Sequence, residues 1–244
     1  DKTGTLTENQ MSVEAILADG QRYSSIADCT AETCTELGRA MALNNDVVEK
    51  GDGLAGEPTE LALARHATAA GFSRAELETL MPRVSALTFD STRKQMTTLH
   101  QAEDGVIAYV KGAPEQVLAQ CRVAMAAGAV GFDASAILRE AENLAKEGYR
   151  VMAFARREFA SIPAELTPEN IERELTFLGL VALIDPPRNE AQPAVADCRS
   201  AGITPVMITG DHPGTALAIA ERLGINSDDT AVLTGAHLHE LDVQ

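Results

Sequence analysis

The sequence of 244 residues contains no tryptophan and only six Phe and three Tyr. Each aromatic ring therefore counts in any reading of a ligand site. Positive charge is also scarce. Twenty Lys and Arg against 36 Asp and Glu give a net charge of −16. That balance argues against nucleic-acid binding and against docking on an anionic membrane surface. No apolar run reaches the roughly 18 residues that a bilayer-crossing helix needs. Cys29, Cys34, Cys121 and Cys198 show no CxxC spacing, and are expected to be reduced, partly buried thiols, with a Cys29–Cys34 metal pair as the lesser alternative. There is no secretory leader and no initiator Met, so the chain is expected to be a piece of something larger. Apolar residues at 45% still suffice for a sizeable core, in one or two domains.

What is present begins at the first residue. Asp1-Lys2-Thr3-Gly4-Thr5-Leu6-Thr7 combines a carboxylate, a cation, hydroxyls and a glycine. Such a segment suits acceptance of a phosphoryl group. Asp1 is the candidate nucleophile and Lys2 supplies positive charge. Gly4 lets the backbone approach phosphate oxygens closely, while Thr5 and Thr7 offer hydroxyl donors.

The middle of the chain reads as short strands around Asp19-Gly20, a helix over 30–45, a loop at 51–53, a helix from Pro58 to Gly71 and a short helix at 73–80. Strands follow at 83–90, 95–100 and 106–111, with turns at Ser91-Thr92 and Asp104-Gly105. Helices are expected at 113–121 and 133–147, then strands at 150–157 and 175–184 flanking a short helix. That mixture predicts an α+β domain. From about 178 the pattern becomes βαβα: strand 178–184, helix 190–201, strand 203–208, helix 213–223, and the start of a strand at 232–234. Parallel strands with right-handed crossovers are the expectation.

Thr209-Gly210-Asp211 follows the apolar stretch ending Met207-Ile208. Ligands in parallel sheets bind beyond the carboxyl ends of strands, so Thr209, Gly210 and Asp211 are expected to converge on Asp1. In Lys111-Gly112-Ala113-Pro114-Glu115, Pro114 starts a helix and Gly112 is expected to let a ligand lie against the backbone. His66, His100, His237 and His239 form no ligand constellation.

With these motifs in hand, the chain resembles the P-type cation-transporting ATPases, most closely their calcium, sodium and proton-pump branch, along essentially its whole length. DKTGTLT matches the phosphorylation signature, and TGD, DPPR, KGAPE and the FDSTRKQM stretch match further family motifs; His212 stands where the family usually has Asn. The implied fold is α/β. A Rossmann-like, haloacid-dehalogenase-type phosphorylation domain, incomplete here, spans 1–9 and 183–244, and an α+β nucleotide-binding domain over 10–182 is inserted in it.

The resemblance implies ATP and Mg2+ as cofactors. It implies catalytic roles for Asp1, Lys2, Thr209, Gly210 and Asp211, with Asp1 and Thr3 near the metal. Nucleotide contacts are implied for Glu57, Phe89, Arg93, Lys94, Lys111, Gly112, Arg150, Asp185 and Arg188, with Phe89 stacking on adenine and Asp185-Pro186-Pro187-Arg188 at an interdomain hinge. The implied function is ATP-driven cation transport through an aspartyl phosphate on Asp1, at the cytoplasmic face of a membrane. Partners are the transported cation and the pump's own actuator and transmembrane domains; nucleic acid is not among them. The family's second acidic motif, GDGxND, is missing from the sequence, so the piece alone is expected to bind nucleotide weakly without turnover. Soluble phosphatases of the haloacid dehalogenase type carry a second Asp where Thr3 stands. Its absence favours a persistent phosphoenzyme over the alternative of a free phosphatase. A nucleotide sensor without chemistry is the other alternative.

Overall fold

The fold comes from a computed structural model that describes residues 1–50, 53–125, 131–210, 213–225 and Leu233. The chain divides into two compact units. One comprises Met11–Glu142 and Arg150–Ile184, and the other Asp1–Gln10, Asn143–Tyr149 and the residues from Asp185 onward.

The larger unit is built on a sheet of β1 (Ser12–Ala18), β2 (Gln21–Tyr23), β5 (Arg83–Asp90), β6 (Gln95–Ala102), β7 (Gly105–Gly112), β9 (Arg150–Phe159) and β10 (Leu175–Ile184). Its order is β2-β1-β10-β9-β7-β6-β5, and every neighbouring pair along that path is antiparallel. A short strand β8 (Cys121–Ala124) pairs with β10 in parallel. β3 (Val48–Lys50) and β4 (Gly53–Ala55) form a separate hairpin. Gly53, expected in a loop, therefore starts a strand, while Gly51 and Asp52 lie outside the described residues.

β10 reads Leu-Thr-Phe-Leu-Gly-Leu-Val-Ala-Leu-Ile and is buried along almost its whole length. A continuous apolar run is what burial on both faces demands. On one face, Leu178, Val181 and Leu183 join a cluster with Ile16, Leu37, Met41, Leu63, Tyr109 and Phe154. Leu37 and Met41 come from α1 (Glu32–Leu43), where their i, i+4 spacing puts both on one face, and Leu63 from α2 (Pro58–Ala69). A second cluster joins Leu175, Phe177 and Leu180 of β10 to Val110, Ala153, Ala155, Val117 and Leu118. The last two belong to α4 (Pro114–Gln120). Gly179 sits where a Cβ would lie 2.7 Å from the Leu17 carbonyl oxygen, so the close approach of β1 to β10 excludes a side chain there.

α3 (Arg74–Leu80), α5 (Ala134–Lys146) and α6 (Pro168–Ile171) fall close to their expected positions. The structure corrects three expectations. The apolar strand 178–184 is not part of a parallel βαβα unit: it pairs antiparallel with β1 and β9. An apolar run reports two-sided burial, and the direction of the neighbouring strand is not written in it. Residues 203–208 form no strand among the described residues, and Val206 and Ile208 are 75% and 72% exposed. A strand needs a paired neighbour. Within the smaller unit, Lys2 N–H donates to the Ile208 carbonyl at 3.1 Å and Ile203 N–H to that of Cys198 at 2.9 Å. Cys29 and Cys34 are not free thiols; they form a disulfide with Cα atoms 6.0 Å apart. Cys29 follows the turn Ile26–Asp28 and Cys34 stands in the first turn of α1, with the bend at Ala31 between them. Cys121 and Cys198 are free.

In the smaller unit α7 (Ala191–Ser200) and α8 (Pro213–Arg222) form as expected. The expected strand at 232–234 lies outside the described residues, apart from Leu233, as do His212, His237 and His239. Gly148, at φ +89°, lets its turn pass α8 where a Cβ would meet Ala218 Cβ at 2.5 Å. No helix among the described residues is long and apolar enough to cross a membrane.

His100 of β6 is wholly buried. Its Nδ1 lies 3.1 Å from the Met81 carbonyl and its Nε2 2.9 Å from Thr98 Oγ1. A carbonyl only accepts, so Nδ1 carries the proton and Nε2 accepts from the hydroxyl. Burial pushes the imidazole pKa down to about 4, against the opposing pull of the Met81 carbonyl. The unfolded chain, with an ordinary pKa near 6.5, then binds the proton more tightly. Stability is thus complete above pH 6.5 and falls as pH drops towards 4, by up to about 3 kcal/mol. Urea unfolding at pH 7 and pH 4.5 should show a larger loss for the unsubstituted chain than for His100→Gln. Equal losses would remove His100 as the cause.

Candidate functional site

In the larger unit, the end of β7, the start of β9, the β5–β6 hairpin and the N-terminus of α2 enclose a cavity of about 500 Å³. Glu57, Phe89, Lys94, Lys111, Gly112 and Arg150, six residues singled out from sequence, all line it. Asp46, Thr59, Glu60, Met96, Val151 and Met152 line it as well and were missed. Glu60 stands three residues after Glu57 on one helix, and that i, i+3 spacing was the available signal.

Each wall has a local cause. Glu57 is the N-cap of α2, and its side chain accepts from Thr59 N–H at 3.0 Å, with Pro58 at the first helical position. Glu57 is thus a cap as well as a cavity residue. Phe89 is 63% exposed, an unusual state for one of so few aromatic rings. The turn after it is held by Asp90 Oδ1, which accepts from Thr92 N–H and Arg93 N–H, each at 2.9 Å. The Arg93 bond is the chief reason that the Asp90 carboxyl sits below its ordinary pKa. Lys94 takes φ +53°, and its ammonium reaches Glu115 at 3.3 Å.

Lys111 is buried against Glu60, Nζ to Oε1 at 2.6 Å, and also donates to the Asn44 carbonyl. Burial lowers its pKa, and the Glu60 carboxylate works against that shift. Arg150 donates to Thr59 Oγ1 at 2.8 Å. Gly112 also has a packing reason. A Cβ there would lie 2.6 Å from both Gln95 Cβ and the Lys94 carbonyl, so the glycine lets β7 pass the hairpin. An exposed ring beside Met96, Val151 and Met152, with Lys94, Lys111 and Arg150 around it, suits a planar apolar group carrying an anionic tail.

Arg93 is not brought to the cavity. Its guanidinium pairs with buried Glu172 and donates to the Thr88 carbonyl at 2.8 Å. Asp185 and Arg188 belong to the smaller unit.

There, residues 1–7 form a tight loop. Thr7 N–H donates to the Lys2 carbonyl at 3.0 Å, and Gly4 takes φ +76°. A left-handed residue at that point calls for glycine. Asp1 is exposed, Lys2 buried and Thr3 exposed. Thr5 Oγ1 lies 3.5 Å from the Asp1 carboxylate. Asp185 accepts from the Thr7 hydroxyl at 2.5 Å and from Gln10 N–H at 3.1 Å. Arg188 donates from Nε to the Thr7 carbonyl and from Nη2 to that of Gly4, both at 3.1 Å. The Lys2–Ile208 hydrogen bond puts Asp1 and Thr209 one residue either side of a direct contact. Gly210 is exposed, and Asp211 lies outside the described residues. No three His, Cys, Asp or Glu gather as a metal cluster among the described residues.

Residues 33–190 match the family model for "P-type ATPase, cytoplasmic domain N". Calcium-transporting ATPase 1 of Bacillus cereus is 34% identical over 247 residues, covering 99% of this chain and 28% of that protein. Cation-transporting ATPase pma1 of Synechocystis is 38% identical, covering 95% of the chain and 29% of its own length. A probable cation-transporting ATPase F of Mycobacterium bovis is 39% identical, covering 99% and 30%. The chain thus spans less than a third of these relatives.

Removing Lys111 would strand the Glu60 carboxylate in a mostly buried place. Breaking such a pair costs about 3–5 kcal/mol when fully buried, and about 2–4 kcal/mol is expected here. Lys111→Met should lower the urea midpoint accordingly, and adding Glu60→Gln should restore part of the loss. No recovery in the double variant would show that the pair is not the source.

Proposed function

The chain belongs to the P-type ATPase family through its cytoplasmic domain N, and on that premise we propose that it is the ATP-binding part of a cation pump. The observation that carries this reading is the cavity shared by Phe89, Lys94, Lys111 and Arg150. Adenine stacks on Phe89, in the manner of bases on exposed aromatic rings. The Lys111–Glu60 pair offers a donor and an acceptor to the polar edge of the base. Lys94 and Arg150 face the phosphates.

In the intact protein Asp1 takes the γ-phosphoryl group. A carboxylate oxygen of Asp1 bonds to the γ-phosphorus as the bond to the β,γ-bridging oxygen breaks, and ADP leaves with that oxygen. The Thr5 hydroxyl and the charge of Lys2 stabilise the transferred group, joined by Thr209, Gly210 and Asp211, while the buried Thr7 hydroxyl is committed to Asp185. Asp185 and Arg188 hold the acceptor loop in shape. Mg2+ is commonly held by one or two carboxylates together with the phosphates it arrives with. The exposed Asp1 carboxylate fits that donor set, with Thr3, also exposed, beside it as a further candidate. When bound there, the ion supplies neutralisation of phosphate charge.

The architecture assigned to this activity is a Rossmann-like phosphorylation domain of the haloacid dehalogenase type over 1–9 and 183–244. The nucleotide-binding domain over 10–182 is inserted in it. Further partners are the transported cation and the actuator and transmembrane parts of the pump, at the cytoplasmic face of a membrane. Thr3 opposes the reading as a free phosphatase, because it occupies the position two residues after Asp1 where a second acid would activate water.

Titrating the chain with ATP should shift NMR resonances around Phe89 and Lys111. A stack worth about 1–3 kcal/mol means that Phe89→Ala weakens binding by roughly 5- to 150-fold. Unmoved resonances there would overturn the nucleotide assignment. In the full-length pump, radiolabelled ATP should leave an acid-stable, hydroxylamine-labile label that Asp1→Asn abolishes. Label that persists in that variant would place the acceptor elsewhere.

A further inference from the structure

Glu172 follows the short helix α6, and its side chain is 1% exposed. Its carboxylate accepts from Arg93 Nη1, from Gln95 Nε2 and from Thr97 Oγ1, the last at 2.6 Å. All three donors lie on the β5–β6 hairpin or the strand leaving it. The site on which they converge is itself pinned: Glu172 N–H donates to the Pro168 carbonyl at 2.8 Å, and Arg157 of β9 donates to the Asn170 carbonyl at 2.9 Å. Arg93 passes the restraint on. While Nη1 holds Glu172, its Nη2 holds the carbonyl of Thr88, the residue before Phe89. Gln95 holds the other side, directly after Lys94.

We propose that Glu172 is a positioning residue for nucleotide binding, a buried anchor that sets the hairpin so that Phe89 and Lys94 face the cavity. This deepens the nucleotide-binding reading and rests on it. A carboxylate is suited to the task. It contributes only acceptor sites, so one buried group takes three donors at once, each strengthened by its charge. The geometry also explains why Arg93, placed by its motif beside ligand residues, is turned from the cavity: it aligns the ring and does not touch the ligand.

ATP affinity of the whole chain tests this, measured calorimetrically in two backgrounds. Glu172→Gln should weaken ATP binding roughly tenfold in the unsubstituted background. In a Phe89→Ala/Lys94→Ala background, where the positioned groups are gone, the same substitution should change affinity by less than about twofold. General loosening of the fold would weaken binding by the same factor in both. Circular dichroism checks that the variant folds, and Arg93→Ala, at a partly exposed position, is expected to give the same pattern if Glu172→Gln does not. Unchanged affinity, or an equal loss in both backgrounds, overturns the proposal. Failure of the unsubstituted chain to bind ATP is a separate result, which removes the nucleotide reading and this inference with it.

Discussion

The pairing of β10 with β1 on one side and β9 on the other is the constraint on which the rest depends. β10 is buried on both faces, and its side chains enter both principal core clusters. Through β9 it sets β7 and then β6 in register, with Leu180 opposite Ala153, Val110 opposite Ala155 and Thr98 opposite Tyr109. That succession places the end of β7, with Lys111, beside the start of β9, with Arg150. A slip of one residue along β10 would turn every one of its side chains to the wrong face. β1 and β10 also pair at Ser12 and Ile184, one or two residues from where each strand runs into the smaller unit.

Around this apolar frame three charged groups are buried among the described residues of the larger unit, each with its own partners. Glu36 receives Arg39 and Arg156, both at 2.6 Å, and the Tyr109 hydroxyl at 3.1 Å. Glu172 receives the hairpin donors, and Lys111 meets Glu60. A buried charge left alone would be severely unfavourable, so each group fixes the elements that bring its partners. Glu36 ties α1 to β7 and β9. Lys111 ties β7 to α2, which sets two cavity walls in relation to each other.

Much of the fold was legible in residue periodicity. α1, α2, α3 and β5 to β7 lie where apolar spacing and turn residues put them, because those signals are local: Pro58 opens α2, and Asp104-Gly105 turns β6 into β7. β8 was not legible: Cys-Arg-Val-Ala has neither alternation nor length, and it is a strand only because β10 offers an edge. The strand direction of 178–184 was misread for a related reason. The disulfide escaped because two cysteines five residues apart meet only if the chain between them turns. Within the cavity, Phe89, Lys94, Lys111 and Arg150 carried motif signals. Met96, Val151 and Met152 read as ordinary strand residues, and Arg93 looked like a ligand group although its charge is consumed inside the fold.

The sequence by itself determined the local elements, the Asp1–Thr7 loop with its glycine at a left-handed position, and the family to which these motifs point. Those depend on backbone preferences and on near neighbours. Tertiary structure alone decided which charges stay available to a ligand and which are neutralised in place. Lys94 and Arg93 are adjacent residues of like charge, yet one lines the cavity and the other is held by a carboxylate 79 residues away in the chain. Only long-range packing brings that carboxylate within reach.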